Sequence, residues 1–373
     1  MDFSSIPWEM MVWSAGKTLF LIFLVVLPMV SYTVYAERRV SALIQDRIGP
    51  NRTGFPISLL GFKKDISPFL GGLGQPIADA VKFLLKEDFV PAHVNKPYFW
   101  LAPCLAMIPA IVTLSAIPFG NELFSNKLVV ADINVGLLFM FAISSVSVYG
   151  IVLAGWSSNS KYPFLGGIRS SSQMISYELS MGLSAVPVLL ICSTTSLTKI
   201  VDYQVAEGWL LAPFMDGGLN FRELLLWVPV FIAFGTFTIS MFAETNRLPF
   251  DLPESETELV AGYHTEYSSM KFALFFLGEY TAMIAGSALT VVLFFGGWHI
   301  PFLPTGAQHW FWGLCSIATF FAKVAALLFI FIWVRWTLPR FRFDQLMRIG
   351  WIYLFEIALV NIFLTAGILA FVK

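Results

Sequence analysis

Residues 243–267 read AETNRLPFDLPESETELVAGYHTEY, between two long apolar segments, Leu224–Phe242 and Phe272–Phe295. At ~1.5 Å per residue each flank can cross about 30 Å of hydrocarbon. The stretch is therefore a loop between two membrane spans. It carries six acids, Glu244, Asp251, Glu254, Glu256, Glu258 and Glu266, against one base, Arg247. Carboxylates clustered beside lipid-facing helices cost free energy, so their number asks for a function. Part of the stretch has a local explanation: Pro253 fits the first position of a helix, Glu254 its first turn, and Asp251 a local cap. If that helix runs on, Glu254 and Glu258 share a face, where like charges repel, and Glu256 points the other way. Interacting acids titrate as a group, which suits a water-filled funnel carrying protons. The plainer reading is a solvated acidic loop facing a basic partner.

The rest of the chain fits the same picture. Of 373 residues, 57% are hydrophobic and 13% charged, and the mean hydropathy is +0.74. Those values exclude a soluble globular protein, and the absence of short alternating strands excludes a membrane β-barrel. Eight apolar runs stand out: Thr18–Ala36, Tyr98–Phe119, Asn134–Ala154, Ser172–Ser193, Leu224–Phe242, Phe272–Phe295, Trp310–Trp336 and Ile349–Phe371. The expected fold is an all-α polytopic membrane protein of one domain, residues 1–373. It has a long loop over 37–97 and the acidic loop over 243–271. Met1–Gly16 holds Asp2 and Glu9 and lacks the basic start of a signal peptide, so the first run is expected to stay as a helix.

Charge orients the spans. The first, third, fifth and seventh loops with their flanks hold 17 of the 23 Lys and Arg residues. The positive-inside rule puts those loops on the cytoplasmic side and both termini outside. In the first of them, Gln75-Pro76 opens an amphipathic helix with Ile77, Val81, Leu84 and Leu85 on one face and Asp79, Lys82 and Lys86 on the other. Such a helix lies on the membrane surface, whether it greets anionic lipid or a specific partner.

Three acids fall inside spans: Glu178, Glu279 and, in the last, Glu356. Glu178 follows SSQMISY, a first half-span too rich in Ser and Gln for lipid, so this helix belongs inside the bundle. Glu279 lies in FFLGEY, and Lys323 is the one base in mid-span. Intramembrane ionisable groups mark ion pathways, and a Glu279–Lys323 or Glu178–Lys323 pair fits the pattern. The plainer reading of Glu178 is an acid that snorkels or caps near its helix start. Arg335, Arg340, Arg342 and Arg348 read as inside-facing anchors with Trp336 and Trp351 at the interface. Arginine also suits a carbonyl or carboxylate ligand such as a quinone head. Cys104, Cys192 and Cys315 form no C-x-x-C, and His93, His264, His299 and His309 fall mostly in loops. No zinc, iron–sulfur or haem site is expected, so this chain should carry no electrons itself.

Six blocks, ERRVSALIQDRIGPNR, LGQPIADAVKFLLKE, GWSSNSKYPFLGGIRSSSQMISYE, AETNRLPFDLPESETELVAGYHTEY, FALFFLGEY and PRFRFDQLMRIGW, span nearly the whole chain in order. They resemble the signature blocks of the H subunit of NADH–quinone oxidoreductase, respiratory complex I. The resemblance implies a non-redox subunit at the joint of the hydrophilic and membrane arms, in a bacterial inner membrane or an equivalent energy-transducing one. Its partners would be the arm subunits of the quinone site and small membrane subunits, with FMN and iron–sulfur clusters in partner chains and quinone as substrate. By motif it assigns Glu178, Glu244, Asp251, Glu254, Glu256, Glu258, Glu266 and Glu279 to a proton or coupling path. Glu37, Arg38, Arg47, Arg340 and Arg342 fall to the quinone chamber and arm contact. Two features depart from the pattern: a long link, FPISLLGFKKDISPFLGG, over 55–72, and Glu356 in the last span. The membrane subunit of an energy-converting hydrogenase shares this architecture. A stand-alone secondary ion transporter also uses buried acids, but no internal repeat supports it.

Overall fold

A computed structural model describes residues 15–51, 53, 72–123, 126–213, 221–252, 259–300 and 310–371. They form ten helices: α1 (Ala15–Ile44), α2 (Gln75–Leu85), α3 (Lys96–Leu114), α4 (Gly136–Ser157), α5 (Lys161–Cys192), α6 (Leu197–Glu207), α7 (Phe221–Glu244), α8 (Ser269–Phe294), α9 (Trp310–Thr337) and α10 (Phe343–Phe371). All but α2 and α6 are long and apolar enough to cross a membrane. The all-α, eight-span architecture expected from hydropathy is the one observed.

The ends differ, because hydropathy stops at the first charges while a helix continues past them. α1 runs through Glu37, Arg38 and Arg39 to Ile44, so the start of the predicted first loop is helix. α5 begins at Lys161 rather than Ser172. Helix α6 and a small antiparallel pair, β1 (Gly120–Leu123) and β2 (Asn126–Leu128), were not legible as periodic apolar patterns.

α8 is the central post. Its apolar window is 72% buried within the chain, against 22% for α1 and for α10. Membrane helices gain little from the hydrophobic effect and pack through small residues instead. A Cβ on Gly150 of α4 would come within 2.6 Å of Ala106 N of α3, and one on Gly155 within 2.6 Å of Pro163 O of α5. These backbones touch only because glycine stands there. α5 is fixed on α10 by the buried Tyr177 hydroxyl, which donates to Leu346 O at 2.8 Å.

α2 opens at Gln75-Pro76 as the pattern predicted, and Ile77, Val81, Leu84 and Leu85 are exposed. Its end is fastened to the start of α8. Ser269 Oγ donates to Phe83 O at 2.9 Å and Lys86 O at 3.0 Å. Lys271 pairs with Asp88 at 2.9 Å and stands over the Trp100 ring.

The mid-span pairing expected for Lys323 is not made. Its Nζ donates to Phe295 O, Gly297 O and His299 O at 2.8, 3.0 and 2.7 Å, over the Trp209 ring. Phe295 is the C-cap of α8 and Gly297 and His299 belong to the turn beyond it, so the cation complements the C-terminal end of that helix and satisfies the turn that follows. Lys323 is thus a structural cap, remote from the acids.

Candidate functional site

α7 ends at Glu244, and Asn246 turns the chain at φ +50°, a left-handed conformation that asparagine tolerates. Buried Gln173 of α5 holds that turn. Its Nε2 lies 2.7 Å from Ala243 O, 2.9 Å from Phe250 O and 3.2 Å from Asn246 Oδ1. The turn sends Arg247, 4% exposed, back into the bundle.

There Arg247 stands among three groups. Its Nε lies 2.7 Å from Glu279 Oε1, at an angle that makes an ion pair but no hydrogen bond. Its Nη1 donates to Glu37 Oε1 at 3.5 Å. The guanidinium sits 4.3 Å from the centre of the Tyr280 ring. Burial by itself would drive arginine toward neutrality. Glu279, Tyr280 and Glu37 outweigh it and hold Arg247 charged, with its pKa well above the usual arginine range. Glu37 in turn accepts from the Tyr280 hydroxyl at 2.6 Å and from Arg335 Nη1. One carboxylate from α1 therefore gathers the acidic loop after α7, α8 and α9.

This cluster separates two cavities. The larger, about 740 Å³, opens among α1, α2, α8 and α9, and Glu37, Arg38, Asp79, Tyr280 and Arg335 line it. Its walls are mostly apolar, and the volume falls within the ~300–1,000 Å³ of small-molecule sites. The inner one, about 90 Å³, lies among α3, α4, α5, α7 and α8, with Glu244, Glu279, Ser144 and Asn246 on its walls. It has room for a few waters.

The residues picked out in the sequence are distributed as follows. Glu279 and Glu244 share the inner cavity with Ser144, and Glu178 is half-buried on α5 and lines neither cavity. Glu37, Arg38 and Arg47 line the outer one, Arg38 paired with Asp79 at 2.8 Å. Asp251 accepts from Arg340 Nη2 at 3.0 Å, and Phe341 N donates to Pro249 O, tying the acidic loop to the last basic loop; the residues Asp251 was expected to cap lie outside the described ones. Glu266 is partly exposed and lines neither cavity, and Arg342 is exposed. Glu254, Glu256, Glu258 and the helix predicted from Pro253 lie outside the described residues, as does most of the 55–72 link. His264, on the acidic loop, is packed edge-on against Tyr263 and Phe272, and burial pushes its pKa down to about 4. Among the described residues no His, Cys, Asp and Glu cluster forms a metal cage.

A family model described as NADH dehydrogenase matches residues 17–366. The chain belongs to the NADH dehydrogenase family. Within it, curated relatives are named as the H subunit of NADH-quinone oxidoreductase. A Geobacter metallireducens protein so named is 50% identical over 94% of each chain. One from Koribacter versatilis is 47% identical over 93% of this chain and 94% of its own. One from Salinibacter ruber is 46% identical over 97% of each. The resemblance carried by the six motif blocks thus holds along the chain, which is a multi-pass membrane subunit of a complex I type.

For this NADH dehydrogenase-family chain, sequence reasoning missed four residues of the cluster. Arg247 reads there only as the lone base of an acidic loop, and Arg335 as one of four inside-facing arginines suited to anchoring or to a quinone head. Tyr280 has no reading of its own there, and Gln173 is one polar residue among several. The signal for Arg247 was present: a single base amid six acids is where a counter-charge is needed.

Proposed function

We propose that this chain forms part of the quinone-access chamber of a proton-pumping NADH:quinone oxidoreductase and couples quinone reduction to proton translocation through buried carboxylates. The observation that carries the reading is Arg247, which touches Glu37 of the outer cavity and Glu279 of the inner one.

A quinone head fits the outer cavity, whose lining includes Arg335, Arg38 and Tyr280. Electrons come from partner subunits. As reduction adds negative charge there, that charge competes with Glu37 for Arg335 and Arg247. Arg247 then shares less of its charge with Glu279. Protons redistribute through water in the inner cavity, from Glu279 to Glu244 and on toward Glu178. Moving one charge across 100 mV takes ~2.3 kcal/mol, the equivalent of less than two pKa units at ~1.4 kcal/mol each. Breaking or remaking one buried ion pair, at about 3–5 kcal/mol, is enough. Asp251–Arg340 holds the two cytoplasmic loops together around the chamber, and residues 1–373 act as one domain with both termini on the outer side.

The test is the purified complex in proteoliposomes, with NADH:quinone turnover and proton uptake read together. Glu244→Gln is expected to lower protons moved per NADH oxidised while quinone binding persists. Full pumping in a Glu178→Gln, Glu244→Gln double variant would overturn the reading.

A further inference from the structure

Glu356 takes no part in this cluster. It lies in α10 and its side chain is exposed. Its depth follows from a contact further along the helix. Asn361 Nδ2 donates to Pro229 O at 2.9 Å, which sets Asn361 level with Pro229 of α7. From Asn361 back to Glu356 is about 7.5 Å at ~1.5 Å per residue. Glu356 is therefore level with the middle of the apolar window of α7, Leu224–Glu244. Arg348, the nearest base on its own helix, is about 12 Å away along the axis, beyond the reach of a glutamate side chain.

A carboxylate at that depth faces a protein interior and pairs there. Glu356 does neither within this chain. On the same face Ile352, Tyr353, Val360 and Phe363 are exposed by 47, 51, 63 and 70%. Among the described residues Glu356 has no ion pair or hydrogen bond. A π-helical segment, Ile349–Leu354, stands directly before it. Hydrocarbon supplies neither a cation nor a hydrogen-bond donor at mid-depth.

We propose that the face of α10 centred on Glu356 is an interface, and that its occupant is a transmembrane helix of another subunit carrying a basic side chain at mid-span between apolar residues. Ile352 and Tyr353 on one side of the acid, and Val360 and Phe363 on the other, give that helix an apolar seam with one charge-matched point. The inference rests on the proposed membership of a multi-subunit quinone reductase.

The experiment uses the assembled complex. A photo-crosslinking residue replaces Val360, leaving Glu356 in place, and the adducts are identified by mass spectrometry. One adduct with another membrane subunit is expected. Adducts with lipid only, or with a second copy of this chain, would overturn the proposal. In parallel, Glu356→Lys is expected to lower the yield of intact complex at least tenfold, while Glu356→Gln stays within about threefold of the parent. Equal yields of the two variants would also overturn it. A chain that purifies alone, without NADH:quinone activity, would instead defeat the functional reading beneath it.

Discussion

Glu279 and Tyr280, consecutive on α8, face different cavities: Glu279 lines the inner one, and Tyr280 lines the outer one, where its hydroxyl reaches Glu37 at 2.6 Å. Neighbours on a helix are about 100° apart, so one turn of α8 serves both chambers. Arg247 closes the gap between them by touching both residues.

Removing that link leaves two buried carboxylates without their shared cation. Arg247→Met is expected to destabilise the subunit by about 3–5 kcal/mol and to lower the amount of assembled complex in membranes. Arg247→Lys keeps the charge but loses the fork that reaches Glu37 and Glu279 together. It should assemble, yet turn over quinone more slowly and pump less per turnover. Unchanged coupling in Arg247→Lys would remove the arginine from the path.

Gln173 tests whether the turn after α7 is held from outside. Gln173→Leu leaves buried carbonyls of Ala243 and Phe250 without this donor, at about 1–3 kcal/mol each. A lower Tm of the complex and faster proteolysis between residues 243 and 252 are expected. A Tm equal to that of the parent would mean that the loop holds its own shape.

Lys323 separates structure from proton transfer. Lys323→Met strips a cation from three carbonyls at the end of α8, so thermal stability should fall. The acids lie elsewhere, so protons pumped per NADH should stay the same in the complex that survives. A selective loss of pumping would return Lys323 to the proton path.

His264 sets a pH window. Its pKa is about 4 when folded, against 6.5 for an ordinary histidine. A base with a depressed folded pKa stays neutral in the folded state while the unfolded chain binds the proton. Its neutral burial therefore favours the fold fully above pH 6.5, and that contribution is lost as the pH falls from 6.5 toward 4. The loss approaches about 3 kcal/mol at the acid end. His264→Phe should flatten the fall in Tm between pH 7 and 5. An identical pH profile in the variant would show that other groups govern the acid instability.

Much of this protein is legible in one dimension. A membrane span needs a run of apolar residues and little else, so all eight spans follow from hydropathy. The polar first half of α5 announced a helix shielded from lipid, and Gln173, Ser176, Tyr177 and Ser180 of that half are buried. Gln75-Pro76 and the spacing of Ile77, Val81 and Leu84 announced the surface helix α2. Glu178, Glu244 and Glu279 were recognisable as costly charges, because a carboxylate near hydrocarbon is conspicuous whatever surrounds it; Glu37 was picked out only through the resemblance of its motif block.

Pairing was not legible. Glu37 and Arg335 are joined although they lie nearly the length of the chain apart, and Asp251 meets Arg340 across two loops. Lys323, the obvious mid-span partner for an acid, turns instead to carbonyls at the end of α8. Composition and periodicity register the cost of a charge within a segment of about twenty residues. Which opposite charge offsets it depends on how the helices are arranged around α8, and close backbone contacts at Gly150 and Gly155 help to set that arrangement. The sequence by itself determined that this chain is a bundle of membrane helices with acids in it; the tertiary structure decided that Arg247 stands between two cavities, because only packing brings α1, α7 and α8 to one point.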